Sequence, residues 1–384
     1  MATHPSPSAV LAPTTNDAAT CPTVDLAPPP WDGLSLDAAE ANAFYAPDML
    51  RAALEHLAQP GEVRLIEAWD DDGLIGLLPA KVAPSHGRLP IKCATNWMHG
   101  HCFFGAPLVR QGREIAAWTS FLTQLDRAGW AGAFLHLQGL DADGANVAAI
   151  THVCARQERS LREVHRYERA MLRSDLSADA YWETNVRSKK RKEIRRLQKR
   201  LAELGTVEHR LIAPSDDLAE WTRAFLTLEA SGWKGGEGTA LVCHPADRAF
   251  FEAACAAAFA GGRLHFLRID LDGRPIAMLV NFRHGDGAFS FKIAFDEELG
   301  RFSPGVLIEL ANLHAVLDTP GIAWMDSCAA VDHPMIDSLW AERRSIVQIR
   351  VALHGSPAKH AARAAAFAVA NGAERLAGLM KGRR

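Results

Sequence analysis

The chain has 384 residues, enough for two domains with their own cores, and a composition 48% hydrophobic and 23% charged that fits a globular protein. A net charge of −3 gives no bulk attraction for nucleic acid, and no apolar run reaches the length of a membrane-spanning helix. Seven cysteines, at 21, 93, 102, 154, 243, 255 and 328, are odd in number and form no CxxC pair, so the expectation is reduced thiols and a cytoplasmic protein.

Residues 1–30 are rich in Ala, Pro and Thr and read as a disordered leader, without the charged and apolar regions of a signal peptide. Order is expected from Trp31. Ser35 to Leu57 carries a helical pattern closed by Pro60-Gly61. A hairpin follows, VRLIEAW and LIGLLPAKV around Asp70-Asp71-Asp72-Gly73, then extended pieces, a helix over Glu114 to Arg127 and a strand over Phe134 to Leu140. The same order returns later, as LHFLRI and PIAMLVNF around Asp270-Leu271-Asp272-Gly273 and then a strand, helix and strand. The fold class expected is α/β (α+β), two domains of one topology with largely antiparallel sheets, over 31–175 and 176–356.

Between the copies, Arg187 to Arg200 holds nine basic residues and one Glu, with Ile194, Leu197, Leu201 and Leu204 forming a narrow apolar stripe. That pattern fits a solvated helix face, or a contact with an anionic cofactor, lipid headgroup or RNA. Glu229-Ala-Ser231-Gly-Trp233-Lys234-Gly-Gly is not a P-loop, since its Lys precedes the glycines; it reads as a surface loop or a mobile loop bordering a site.

Phe289 to Ser327 is the most informative stretch. Phe289, Phe291, Ile293 and Phe295 alternate as in a half-buried strand, Arg301-Phe302-Ser303-Pro304-Gly305 makes a loop, and Val306 to Leu317 recurs at helical spacing before a strand ending at Asp326. Free backbone N–H groups and the positive dipole end at such a helix start suit a phosphate, with Ser303 and Arg301 placed to add to them. The alternative is an ordinary capped helix between two strands. The first copy carries Gly105-Ala106-Pro107-Leu108 where this loop should be, so the second copy is expected to keep the cofactor site.

Past the strand end, His333 is the natural proton acceptor near neutral pH, Asp326 or Asp332 could orient it or act in its place, and Cys328 is a candidate nucleophile or a buried thiol. Cys93, His99, His101 and Cys102 match no metal spacing and are expected to be structural, with no metal in the protein. The Ala-rich, basic segment 357–384 is expected either to dock as a terminal helix or to lie on an anionic membrane surface.

The basic helix RKEIRRLQKRLAELG, the segment LEASGWKGGEGTA, the hairpin around DLDGRPIA and above all FKIAFDEELGRFSPGVLIE resemble the Gcn5-related N-acetyltransferase (GNAT) superfamily. The branch is similar to acetyltransferase-like proteins of cellulose and exopolysaccharide biosynthesis, with Fem-type transferases more distant. The resemblance covers about Trp182 to Val351, and the first half by layout. It implies tandem GNAT-like domains, the first degenerate, and direct attack of an amine on an acyl-CoA thioester. It places Arg301, Ser303, Gly305 and Val306 on the pyrophosphate loop. His333 and Asp326 are then the candidates for the base, and Trp233, Lys234, Glu229, Lys292 and Asp296 are expected to line the acceptor side. The acceptor classes it leaves open are a long-chain amino-alcohol, an amino sugar, and a Fem-like aminoacyl-tRNA system or a non-catalytic binding module. The Tyr-Lys pair that many relatives carry before the Trp is absent here, where the chain reads Asp326-Ser-Cys to Trp340. Peripheral attachment through Arg187 to Arg200 and the tail would suit a lipid acceptor.

Overall fold

A computed structural model describes residues 31–381, with side chains to Ala373. The leader expected over residues 1–30 lies outside them. Twelve strands form one sheet, flanked by helices on both faces. The hairpins lie where alternation and turn chemistry put them: β1 (Arg64–Asp70) with β2 (Gly73–Ala83), and β8 (Leu264–Leu271) with β9 (Arg274–His284). In the second turn Asp272 and Gly273 both have positive φ, at 50° and 77°, which the right-handed twist of the flanking strands favours.

Each half then continues with a strand, a helix and a parallel strand. In the first these are β3 (Cys93–Asn96), α3 (Glu114–Arg127) and β5 (Phe134–Asp141), with β4 (Leu108–Val109) on the edge of β2. In the second they are β10 (Gly287–Phe295), α10 (Pro304–Leu317) and β11 (Trp324–Asp326). The last strand of each half crosses over. β6 (Leu161–Leu172) pairs with β11 of the second half, β12 (Glu342–Ala352) pairs with β5 of the first, and the two pair with each other at the centre. β7 (Val207–Leu211) extends the far edge beside β8.

The helix expected over Ser35 to Leu57 is two, α1 (Trp31–Leu36) and α2 (Pro47–His56). Pro47 sets the start of the second, because it lacks the N–H a helix interior needs and fits the first turn of a new one. Four further helices complete the ordered chain up to α7: α4 (Ala145–Arg156), α5 (Ala178–Asn185), α6 (Ser188–Ala202) and α7 (Leu218–Ser231). On α6, Ile194, Leu197 and Leu201 are buried while Arg187, Lys189, Lys192, Arg196, Lys199 and Arg200 around them are exposed. α8 (Trp233–Gly236) is a single turn, and α9 (Pro245–Ala260) packs against α2. In α11 (Pro357–Lys381), Phe367 and Ala370 are buried against Cys93 and Phe134, and Arg350 donates to Asn371 Oδ1. Of the two placements open to this segment, residues 357–373 take the docked one. No helix among the described residues is long and apolar enough to cross a membrane.

Candidate active site

β10 pairs with β9 along its whole length but with β11 only from Gly287 to Phe289. β11 ends at Asp326, opposite Phe289, so from Ser290 onward β10 has no strand partner on that side, and this unpaired gap is the wedge. The register against β9 shifts between Ser290 and Lys292, so Phe291 is a bulged residue at the apex. The outer edge of β10 from Ser290 to Phe295 therefore carries backbone groups with no strand partner.

Asp326 fixes the other wall. Its carboxylate is fully buried, 2.6 Å from Arg169 and 3.1 Å from Arg344, and it accepts the Cys328 N–H at 2.9 Å. Burial alone would raise this carboxyl; the two guanidiniums more than offset that and hold it below the usual range. With both oxygens engaged and no exposure, Asp326 cannot take a substrate proton, which corrects its expected role as a base. Cys328, held at φ 52°, is no better suited to act as a nucleophile: burial, with the Asp326 charge adding to it, pushes its thiol well up.

The loop before α10 lies at the mouth of the wedge, with Gly305 against the Phe295 ring. Ser303 adopts the left-handed conformation at φ 53° and its hydroxyl caps no helix N–H; its carbonyl accepts the Val306 and Leu307 N–H groups. Gly305 packs closely under the Phe295 ring: a Cβ there would lie 3.2 Å from it, so the ring would have to give by a few tenths of an ångström. Arg301 is exposed over the Phe302 ring at 4.9 Å, and Arg200 of α6 approaches the same ring at 5.7 Å. Two cations, a hydroxyl and a helix N-terminus thus share one rim.

Beside this loop a cavity of about 310 Å³ is lined by Glu229, Trp233, Lys234, Phe295, His333 and Met335, among others. Four of the expected site residues come together here. Glu229 and Lys234 are a scaffold pair and not free contacts. Lys234 Nζ donates to Glu229 Oε1 at 3.2 Å and to the Ile293 carbonyl at 3.0 Å, while Glu229 Oε2 accepts the Leu241 N–H at 2.9 Å. The Trp233 side chain is half exposed, and the Trp233 backbone N–H donates to Glu297 Oε1 at 2.8 Å. Asp296 is not with them: it accepts the Glu298 N–H, pairs with Arg274 at 2.8 Å and borders a separate cavity. Its short side chain is used up in capping the turn after β10.

Lys292 projects to the face covered by the first half. Burial lowers its amine, opposed by Glu229. Nearby, His101 Nε2 is 3.0 Å from Asp247 Oδ1, and its ring lies parallel on Phe250 with centroids 5.6 Å apart. His99 meets Phe250 edge-on, and burial brings its imidazole down to about 3. By spacing alone these histidines are expected to be structural, because it matches no metal site. The pairing with Asp247 spans 146 positions of chain and has no sequence signal. Among the described residues no group of His, Cys, Asp and Glu is arranged to hold a metal ion.

Residues 188–333 match the family model described as an acetyltransferase (GNAT) domain. The chain carries a GNAT domain. The match runs from the start of α6 to His333, so it takes in β10, the α10 loop and β11. No curated protein matches the sequence. Among solved structures, "FemX" superposes with a TM-score of 0.56 at 10% identity, over 85% of this chain and 96% of its own. A conserved protein of unknown function from Bacteroides thetaiotaomicron gives 0.54 at 12%, over 85% and 98%. The C-terminal domain (DUF2156) of a putative lysylphosphatidylglycerol synthetase from Agrobacterium fabrum gives 0.52 at 11%, over 88% and 92%. At these identities the likeness concerns the fold, and it extends across both halves.

The first half has the strands of the GNAT domain but no open wedge. The segment Phe104–Ala106 fills the gap between β3 and β5: Gly105 N–H donates to the Gly139 carbonyl at 2.8 Å, and Asn96 bridges the Gly105 and Gln138 carbonyls at 2.9 and 2.8 Å. Any side chain at Gly105 would strike the Gln138 carbonyl at 2.2 Å. The residues before α3 are Arg110 to Arg113, so Gly105-Ala106-Pro107-Leu108 is a plug and an edge strand and not the counterpart of the α10 loop.

Proposed function

We propose that the protein is an acyl-CoA-dependent N-acyltransferase that modifies the amine of a cell-envelope precursor. The observation that carries this reading is the open wedge between β10 and β11 with the Arg301-to-Val306 loop at its mouth. The residues there fit the donor. Arg301 and Arg200 supply cations, Ser303 a hydroxyl and α10 the positive end of a 14-residue helix, a set suited to a pyrophosphate. The unpaired edge of β10 offers backbone N–H groups where a thioester oxygen would gain charge. When bound, the acyl-CoA supplies an electrophilic carbonyl carbon activated as a thioester. The protein orients the amine, excludes water and accepts the proton that the amine loses. His333 and Trp233 border the mouth cavity and are proposed to contact the acceptor.

A long-chain amino-alcohol is the acceptor class we place first, with an amino sugar as the alternative. The exposed cations of α6 lie beside the proposed donor loop, a layout that suits work at an anionic lipid surface. In the described part of the tail, Arg363 and Phe367 are turned into the first half. Thermal shifts with acyl-CoAs from acetyl to palmitoyl test the reading, because a ligand that binds only the folded state must stabilise it. Stabilisation that grows with chain length is expected. A plateau at acetyl-CoA would favour the amino sugar, and no shift with any acyl-CoA would remove the donor assignment.

A further inference from the structure

We propose that His101, held by Asp247, is the group that takes the proton from the attacking amine, so that the first half supplies the base for chemistry on the second. This rests on the acyl-transfer reading. His101 lies in the loop 97–107 that joins β3 to β4, and this loop is packed across onto the second half. Its ring faces Phe291, the bulged residue at the apex of the wedge, with centroids 6.2 Å apart. Loop and wedge are thus in contact where the pairing of the two parallel strands ends.

The tautomer follows from the contact with Asp247. Asp247 Oδ1 at 3.0 Å requires a proton on Nε2, which leaves the lone pair on Nδ1. That nitrogen is buried and has no hydrogen-bond partner among the described residues. A buried acceptor left unsatisfied is costly, so a substrate N–H that reached it would relieve the cost. Phe250 fixes the ring plane from one side. Carboxylate, imidazole and an unpartnered acceptor nitrogen form the arrangement of an oriented general base.

The groups facing His101 are Asp247 on α9, His99 on its own loop, Lys292 on β10 and Glu229 on α7. Burial, aided by Lys292, lowers the imidazole below its ordinary value, opposed by Asp247. The ring is therefore neutral near pH 7 and able to accept. His333 borders the mouth cavity with no carboxylate holding its ring among the described residues. In the step itself a C–N bond forms and the C–S bond breaks. The amine proton passes to His101 Nδ1, and the leaving sulfur is released as a thiolate that takes up a proton.

The test uses His101→Gln and Asp247→Asn in the full chain, with CoA release measured against methoxyamine, an amine that stays neutral across the pH range. His101→Gln should keep the acyl-CoA thermal shift, which also reports folding, and lose about 100-fold or more in kcat. Asp247→Asn should lose less and move the acid limb of the kcat/KM profile to lower pH, because the Asp247 charge raises the pKa of His101. A His101→Gln enzyme within about threefold of wild type would overturn the proposal. So would an acid limb that moves with His333→Gln and not with Asp247→Asn, or a wild type that binds acyl-CoA yet releases no CoA to methoxyamine, glucosamine or sphinganine. Absence of any acyl-CoA shift in the wild type would instead sink the acyl-transfer reading from which the proposal starts.

Discussion

Asp326 joins three parts of the molecule that are far apart in sequence. Its partners Arg169 and Arg344 lie on the crossed-over strands β6 and β12, and Arg169 also donates to the Phe103 carbonyl at 2.7 Å in the loop that carries His101. Arg344 lies over the Phe104 ring at 4.2 Å and pairs with Asp141 at 2.8 Å. Replacing Asp326 by Asn would leave two buried guanidiniums short of charge, a change that costs about 3–5 kcal/mol. Urea unfolding at pH 7 should show a loss of that order. The folded-state pKa of Asp326 is depressed, so its contribution is present above the unfolded value and disappears as pH falls through the folded one. The deficit of Asp326→Asn should accordingly shrink in acid. The residue could be picked out as titratable from sequence, but its role could not, because a carboxylate at a strand end reads the same whether it faces solvent or two arginines.

At the scale of elements, the strand, loop and helix around the wedge were legible. Alternation from Phe289 to Phe295 and helical spacing from Val306 to Leu317 appear in the structure as β10 and α10. α10 is buried nearly all round, and polar residues within it report on that. Asn312 Oδ1 accepts from Asn281 at 3.0 Å and Asn312 Nδ2 donates to Glu309 Oε2 at 3.3 Å, while burial raises the Glu309 carboxyl to about 7. A raised folded-state pKa stabilises below the unfolded value and loses that contribution as pH rises through the folded one. Between pH 4.5 and 7 the wild type should lose up to about 3 kcal/mol through this group, at ~1.4 kcal/mol per unit. Glu309→Gln keeps the side-chain shape and an amide oxygen for Asn312. Denaturation across that range should show the variant with a flatter stability profile, and an unchanged slope would refute the assignment. The wedge itself was not legible. Pairing stops where β11 ends at Asp326, and residue spacing does not show which residue of β10 lies opposite that end.

At the scale of the whole molecule the crossing of β6 and β12 decides the architecture. Residues 31–175 contain β1 to β6 but lack β12, which covers one edge of β5 and one edge of β6. Expressed alone, that piece would expose two long strand edges, and it should aggregate or stay without cooperative melting. Co-expressed with residues 176–384, it should be recovered as a complex, as size-exclusion chromatography would report. A monomeric, cooperatively melting 31–175 would show that the exchange is dispensable.

Sequence alone fixed the alternation of strands and helices, both Asp-Gly hairpins, the basic face of α6 and the repeat of one layout, because these are set by residue spacing over a few turns. Tertiary structure decided the rest. It closed one wedge with Phe104 to Ala106 and left the other open. It engaged Asp326, Glu229, Lys234 and Asp296 in scaffold contacts, and it brought His101 to Asp247 across the junction of the halves. Those outcomes depend on strand pairing and burial, in the Asp326–Arg169 and His101–Asp247 contacts between residues more than a hundred positions apart, and local spacing carries no record of them.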